Sequence, residues 1–235
     1  MDLKILLPRK ALNKVFLKVK PNLTEIENFK TNLIQLFNRI NETESEEFHK
    51  NLVSDFLKKT YYDPNHFINT KGRNDLVIHN KEKANSSVGV IIEAKKPTNK
   101  SEMLSQENIN VKAFQELVLY FLRERITNKN LEIKYLAVTN IYEWFIFDAN
   151  LFEKHFAQNK ALINQFNEFE NGSLAGKTTD FFYKEIAEPF VNAIKHEVEF
   201  TYFDIRQYEK ILRNNDKKDD NKLIALFKIF SPEHL

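Results

Sequence analysis

Apolar positions recur along this chain in two rhythms, one helical and one of period two. Leu33, Leu36, Phe37 and Ile40 follow Thr24-Glu-Ile-Glu27, a capping-box pattern, and predict a helix from about 24 to 40 into which residues 1 to 21 feed. A second capping-box pattern, Thr43-x-x-Glu46, precedes Phe48, Leu52, Val53, Phe56 and Leu57 and predicts a helix ending near Tyr61, before Asp63-Pro64. The rhythm then changes. Strands are expected at about 73 to 79 and 88 to 95, and the polar, turn-rich connector from Asn80 to Ser87 makes them an antiparallel hairpin. Val111, Phe114, Leu117, Val118, Phe121 and Leu122 form the stripe of a helix over about 108 to 126, followed by strands near 133 to 139 and 143 to 148.

This order of helix, strands, helix and strands predicts an α/β sandwich, a mixed sheet flanked by helices on both faces. Beyond it, a helix ending near Gly172 and another capped by Thr178 or Thr179, running through Phe182, Ile186, Phe190 and Ile194, predict a helical C-terminal extension or connector. The expected division is a domain over residues 1 to 170 and the extension over 171 to 235. After the charged segment from Asn214 to Asn221, the short apolar helix from Leu223 to Phe230 stops at Ser231-Pro232. It needs a surface to pack on, either its own domain or a further one downstream.

Composition narrows the chemistry. The 235 residues are 42% apolar and contain no Cys, which removes disulfides, thiolate metal sites and Cys nucleophiles together. The N-terminal apolar run is too short for a signal peptide or membrane span, so a cytoplasmic protein without a membrane partner is expected. The formal charge of +2 is too small to make the whole surface bind nucleic acid, so any DNA contact must be local. Lys71, Arg73, Lys96 and Lys100 cluster around the stretch described next and are candidate phosphate contacts, with a solvated charged rim as the alternative.

That stretch is Asn74-Asp75-Leu-Val-Ile and Val90-Ile-Ile-Glu93-Ala94-Lys95-Lys96-Pro97. Burying a carboxylate or an ammonium costs several kcal/mol unless it is paired or bound to a cation, so an apolar strand ending in Glu-x-Lys suggests a site. Alternation puts Glu93 and Lys95 on one face, and Asp75 comes from the neighbouring strand. Two close carboxylates repel each other and suit a hard cation such as Mg2+; a Lys beside them can orient or help deprotonate a water and offset charge on a pentavalent phosphate. Phosphodiester hydrolysis is the expected reaction. The alternative is a cross-strand salt bridge at a sheet edge. Glu132-Ile133-Lys134 has the same spacing, but it opens a strand and has no Asp-bearing partner strand, so it is expected to be inert.

At these residues the chain resembles the PD-(D/E)XK nuclease superfamily, with Asn74 where the family often has Pro. NDLVIHN, VGVIIEAKKP, KAFQELVLYFLRER and VTNIYEWFIFDA together resemble the N-terminal nuclease region of type II (IIG-like) restriction-modification enzymes, over about residues 24 to 235. The resemblance implies a restriction-endonuclease-like fold, Asp75 and Glu93 as metal ligands, the Ala94 carbonyl as a further ligand, and Lys95 as the catalytic Lys. It also implies Mg2+, with Mn2+ as a substitute. Glu116, Tyr120 and Arg123, at i, i+4 and i+7, resemble a Gln-x-x-x-Tyr element of type I and related nucleases, with Glu for Gln and Gln115 one residue out of register. The alternative for Glu116 is a helix-edge pair with Lys112. Some relatives place a Glu on the first core helix near the metal. Glu46 is the nearest match, although its capping-box position explains it without catalysis.

Other motifs fall away. Gly172-Ser-Leu-Ala-Gly176-Lys177-Thr178 has three residues between its glycines where a phosphate-binding loop needs four, so no ATP site is expected. The six His show no zinc spacing, and His79 reads as structural. Asn-Pro-Pro-Tyr/Phe and Gly-x-Gly-x-x-Gly are both absent, so no S-adenosylmethionine site is expected. The sequence therefore points to a Mg-dependent, site-specific deoxyribonuclease module of restriction type. Its partners would be double-stranded DNA and a methyltransferase or specificity domain or subunit, in cis or in trans. The alternatives are a non-catalytic DNA-binding or assembly subunit and the nuclease part of a type I restriction enzyme.

Overall fold

The computed structural model describes residues 3–71, 74–214 and 218–235, without the side chains of Lys71, Asn74 and Asp75. Its architecture is α/β, a seven-stranded mixed sheet flanked by helices. In chain order the main elements are β1 (Lys4–Leu6), α1 (Leu23–Arg39), α2 (46–62), β2 (Ile68–Lys71), β3 (Asn74–His79), β4 (Val88–Ala94) and α3 (112–127). These are followed by β5 (Tyr135–Thr139), β6 (Glu143–Asp148), α4 (149–157), α5 (Lys160–Glu170), α6 (179–194), β7 (Glu199–Asp204) and α7 (Asp220–Ile229). The strands lie in the order β1-β7-β6-β5-β4-β3-β2. β3 and β4 form the expected antiparallel hairpin, and β4 runs parallel to β5 through the α3 crossover.

Alternation along the strands divides the core in two. Val77, Ile91, Val138, Phe145 and Phe200 face α3 to α6, while Leu76, Ile92, Ala137, Trp144 and Phe203 face α1, α2 and α7. A register shift between Ile78 and His79 puts Val88 on the α3 side with Ile91. The α3 stripe is deeply buried. Phe114, Leu117, Val118 and Leu122 are each fully enclosed, which makes this helix the fixed wall behind β4.

Several boundaries differ from the sequence expectation. The first capping box is formed by Asn22 and Glu25, two residues before the Thr24 and Glu27 pair, and Asn22 Oδ1 accepts from Glu25 N at 2.9 Å. The second helix is capped by Ser45, whose Oγ accepts from Phe48 N at 3.1 Å, so Thr43 is not the cap and Glu46 opens the first turn. Residues 171–235 are not purely helical, because β7 lies inside the sheet between β6 and β1. The expected boundary at 170 therefore runs through a shared core. Thr178 caps α6, and Gly172, at φ 75°, follows α5 as expected. The terminal helix α7 packs on its own domain, burying Leu223, Leu226 and Ile229 with Phe29 and Phe56. Tyr62 Oη donates to Phe230 O at 2.9 Å and secures that end. No described helix is long and apolar enough to cross a membrane.

Candidate functional site

β4 is a central strand, so the end of its polar pair is closed in from both sides. Glu93 and Lys95 fall on the α3 face, as period two requires, and Glu93 Oε1 lies 2.7 Å from Lys95 Nζ. Lys95 follows the last strand residue, and its N–H extends the ladder by donating to Thr139 O at 2.8 Å. Glu93 is 1% and Lys95 4% exposed, values that place an ammonium and a carboxylate in the core. The pair is therefore not a cross-strand bridge at a sheet edge.

Three further carboxylates converge on the same ammonium. Glu116 of α3 approaches Lys95 Nζ to 2.6 Å, Glu102 of the β4–α3 connection to 3.8 Å, and Glu46 of α2 to 4.0 Å. The alternative pairing of Glu116 with Lys112 is not the one adopted, since Lys112 Nζ bonds Glu102 at 2.9 Å. Glu46 has moved from a supposed cap to the rim of the site. Its Oε2 accepts from Lys96 N at 3.3 Å, which ties the start of α2 to the end of β4. Tyr120 is buried one turn beyond Glu116, whereas Arg123 turns away and donates to Glu170 at 2.8 and 2.9 Å.

The electrostatics follow from this crowding. Burial alone would lower the Lys95 pKa, but Glu93 and Glu116 outweigh it and raise the ammonium well above the ordinary lysine range. Burial works against Glu102 as a carboxylate, yet Lys112, Asn99 and Lys95 together hold its pKa below the usual value. Tyr183 of α6 is buried on the same side. Its hydroxyl is pushed up first by burial and then by the Glu116 and Glu93 charges. Among the described residues four glutamates face two lysines here, Lys95 and Lys112, which leaves a formal surplus of two negative charges among them.

An all-oxygen donor set with surplus negative charge suits a hard divalent cation in its chemistry. Among the described residues, however, no group of three or more His, Asp or Glu is disposed to hold a metal ion. Asp75, the expected ligand from the neighbouring strand, has its side chain outside the described residues. Its backbone belongs to β3, and the Leu76↔Ile92 register continued by one residue meets Glu93. Ala94 is buried and pairs with Thr139 in the parallel ladder.

Of the expected basic contacts, Lys100 is exposed and Lys96 half-buried, while the Lys71 side chain and Arg73 lie outside the described residues. His79 is structural: its ring nitrogens meet Ser86 O at 2.8 Å and Asn69 Oδ1 at 2.9 Å. Glu102 and Tyr183 were not foreseen from sequence. Neither sits in a periodic pattern with β4, and each reaches the site through the path of the chain between elements.

A family model described as Domain of unknown function (DUF7149) matches residues 6–235, so the chain belongs to that family. No curated protein and no solved structure matches the chain.

Proposed function

We propose that this member of the DUF7149 family is a metal-dependent DNA endonuclease of restriction type, with the Lys95 centre as its active site. The observation that carries this reading is a buried ammonium at the end of a central strand, ringed by more carboxylate charge than it neutralises. A purely structural ion pair needs one partner for Lys95, whereas two buried carboxylates, Glu93 and Glu116, crowd it, and buried charge in excess is destabilising unless something binds it. The mixed sheet with helices on both faces agrees with the nuclease resemblance. So does the convergence of Glu93, Lys95, Glu116 and Glu46.

In this reading Asp75, Glu93 and the Ala94 carbonyl hold Mg2+, or Mn2+ in its place, which supplies a polarised phosphate oxygen and an acidified water. Lys95, with Glu93 and Glu116 oxygens 2.7 and 2.6 Å from its Nζ, orients the attacking water and offsets the charge that builds on the phosphate. Glu93 and Glu116 aim the ammonium, and the closed face of α3 keeps bulk water away from it. The substrate is double-stranded DNA in the cytoplasm. Sequence preference comes from a methyltransferase or specificity domain or subunit, since a basic rim gives only phosphate contact.

A second reading, a non-catalytic DNA-binding or assembly subunit, is favoured by one observation: Lys95 is already engaged by Glu93 and Glu116 at 2.7 and 2.6 Å. The two are separated by incubating the purified chain with supercoiled plasmid and Mg2+ or Mn2+, with Ca2+ as the non-catalytic control. Cleavage with little sequence preference, lost in Asp75→Asn and in Glu93→Gln, is expected. Cleavage retained in either variant sinks the assignment, and no cleavage with any metal selects the non-catalytic reading.

A further inference from the structure

Glu102 is within reach of two cations and is bonded to one of them. Its Oε1 accepts from Lys112 Nζ at 2.9 Å and its Oε2 from Asn99 Nδ2 at 2.9 Å, while Oε2 stands 3.8 Å from Lys95 Nζ. A lysine ammonium has three N–H donors. Carboxylate oxygens of Glu93 and Glu116 stand 2.7 and 2.6 Å from Lys95 Nζ, and among the other described residues Glu102 and Glu46 remain beyond hydrogen-bond distance. About 1 Å of travel would bring Glu102 onto the third N–H, since charge-assisted contacts close at about 2.8 Å.

The segment carrying Glu102 is built to resist that movement. Asn99 N donates to Lys96 O at 3.0 Å, forming a turn directly after the site, and Ala113 N donates to Glu102 O at 3.1 Å, fastening the backbone to the start of α3. Lys112 lies one turn before Glu116 on α3. The helix that supplies one of the carboxylates on Lys95 therefore also carries the cation that draws Glu102 aside. Glu102 and Lys112 are both partly exposed, with side chains 30% and 38% accessible, so neither is fixed by packing alone.

We propose that Lys112 is a positioning residue that holds the Glu102 carboxylate off Lys95, keeping one N–H of the Lys95 ammonium open to a substrate oxygen. The kinetic consequence rests on the nuclease reading; the geometric one does not. Without Lys112, Glu102 loses its nearest cation and closes on Lys95. The third donor is then occupied, and turnover falls.

The test compares wild type with Lys112→Met, Lys112→Arg, Glu102→Gln and the double variant Lys112→Met/Glu102→Gln. In plasmid cleavage, Lys112→Met should lower kcat about tenfold with KM nearly unchanged, the size expected when one charge-assisted hydrogen bond must be broken. Lys112→Arg should keep most of the activity, and the double variant should recover it. In parallel, proton exchange of the 15N-labelled Lys95 ammonium should slow in Lys112→Met and return to the wild-type rate in the double variant.

A rise in KM at constant kcat would make Lys112 a DNA contact and overturn the proposal. A loss that Glu102→Gln fails to restore would also overturn it. If the wild-type chain cuts no DNA, the nuclease reading fails, yet the ammonium exchange still decides the proposal: slowing reversed by Glu102→Gln supports it, and no change refutes it.

Discussion

Glu93-Ala94-Lys95 and Glu132-Ile133-Lys134 share a three-residue pattern and sit at opposite ends of the neighbouring parallel strands β4 and β5. The first closes β4, is almost wholly buried, and gathers carboxylates from α2, α3 and the connection between β4 and α3. The second precedes β5 and is exposed. Glu132 accepts from Ser87 Oγ, and Lys134 N merely continues the ladder by donating to Gly89 O at 2.8 Å. Spacing alone therefore makes no site. What differs is where the pattern falls on the strand and whether helices bring further charge to it.

Removing the cation breaks this comparison most sharply. Lys95→Met leaves Glu93 and Glu116 buried without their shared partner and should destabilise the chain by about 3–5 kcal/mol in urea unfolding. Lys134→Met, on the exposed copy of the pattern, should stay within about 0.5 kcal/mol of wild type. Equal losses at both positions would mean that burial of Lys95 is not what distinguishes the two motifs. A third lysine shows that burial has more than one solution. Lys228 is also 4% exposed, but it donates to Phe16 O at 2.7 Å and lies 3.8 Å from the centre of the Phe16 ring. Burial lowers its pKa, opposed by Glu233 and Glu25, the reverse of Lys95.

Removing an anion should do far less to the fold. Glu116→Gln keeps an oxygen beside Lys95 and removes one of the surplus charges, so stability should change by less than about 1 kcal/mol while cleavage falls. A loss of several kcal/mol, read from the same urea transitions, would show that the carboxylates are matched to the cation and not in excess.

The smallest effect concerns pH. Glu102 has a depressed pKa in the folded chain, so its contribution is present above the ordinary glutamate range and is lost as pH falls through the depressed value. Glu102→Gln should therefore flatten the acid side of the stability profile between about pH 5 and 3 and leave neutral pH unchanged. Lys95 behaves in the opposite sense. Its raised pKa gives a contribution complete below the ordinary lysine range and lost only in strong alkali, so it produces no slope between about pH 6 and 9.

The sequence made the face of β4 legible because period two fixes which side chains share a side, and the hairpin with β3 followed from a polar connector. The reach of α3 was legible only as a stripe. Glu116 could be placed beside Tyr120, but its pairing with Lys95 over Lys112 depends on how the helix sits on the sheet, which no local pattern encodes. The Thr43-x-x-Glu46 spacing matches a capping box, which accounts for Glu46 without any role at the site. Ser45 is an equally good cap and starts the helix two residues later.

β7 escaped detection because Phe200, Thr201, Tyr202 and Phe203 are buried on both faces between β6 and β1, so no polar alternation marks the strand. β1, with only three residues, is too short to show a period.

The proposed function requires that the carboxylates at the end of β4 bind a divalent cation. Its most direct test is Mn2+ binding, followed by electron paramagnetic resonance of the free ion, in wild type, Glu93→Gln and Glu132→Gln. The account predicts a bound ion in wild type that is lost in Glu93→Gln and kept in Glu132→Gln. No bound ion in wild type, or binding that survives Glu93→Gln, would contradict it.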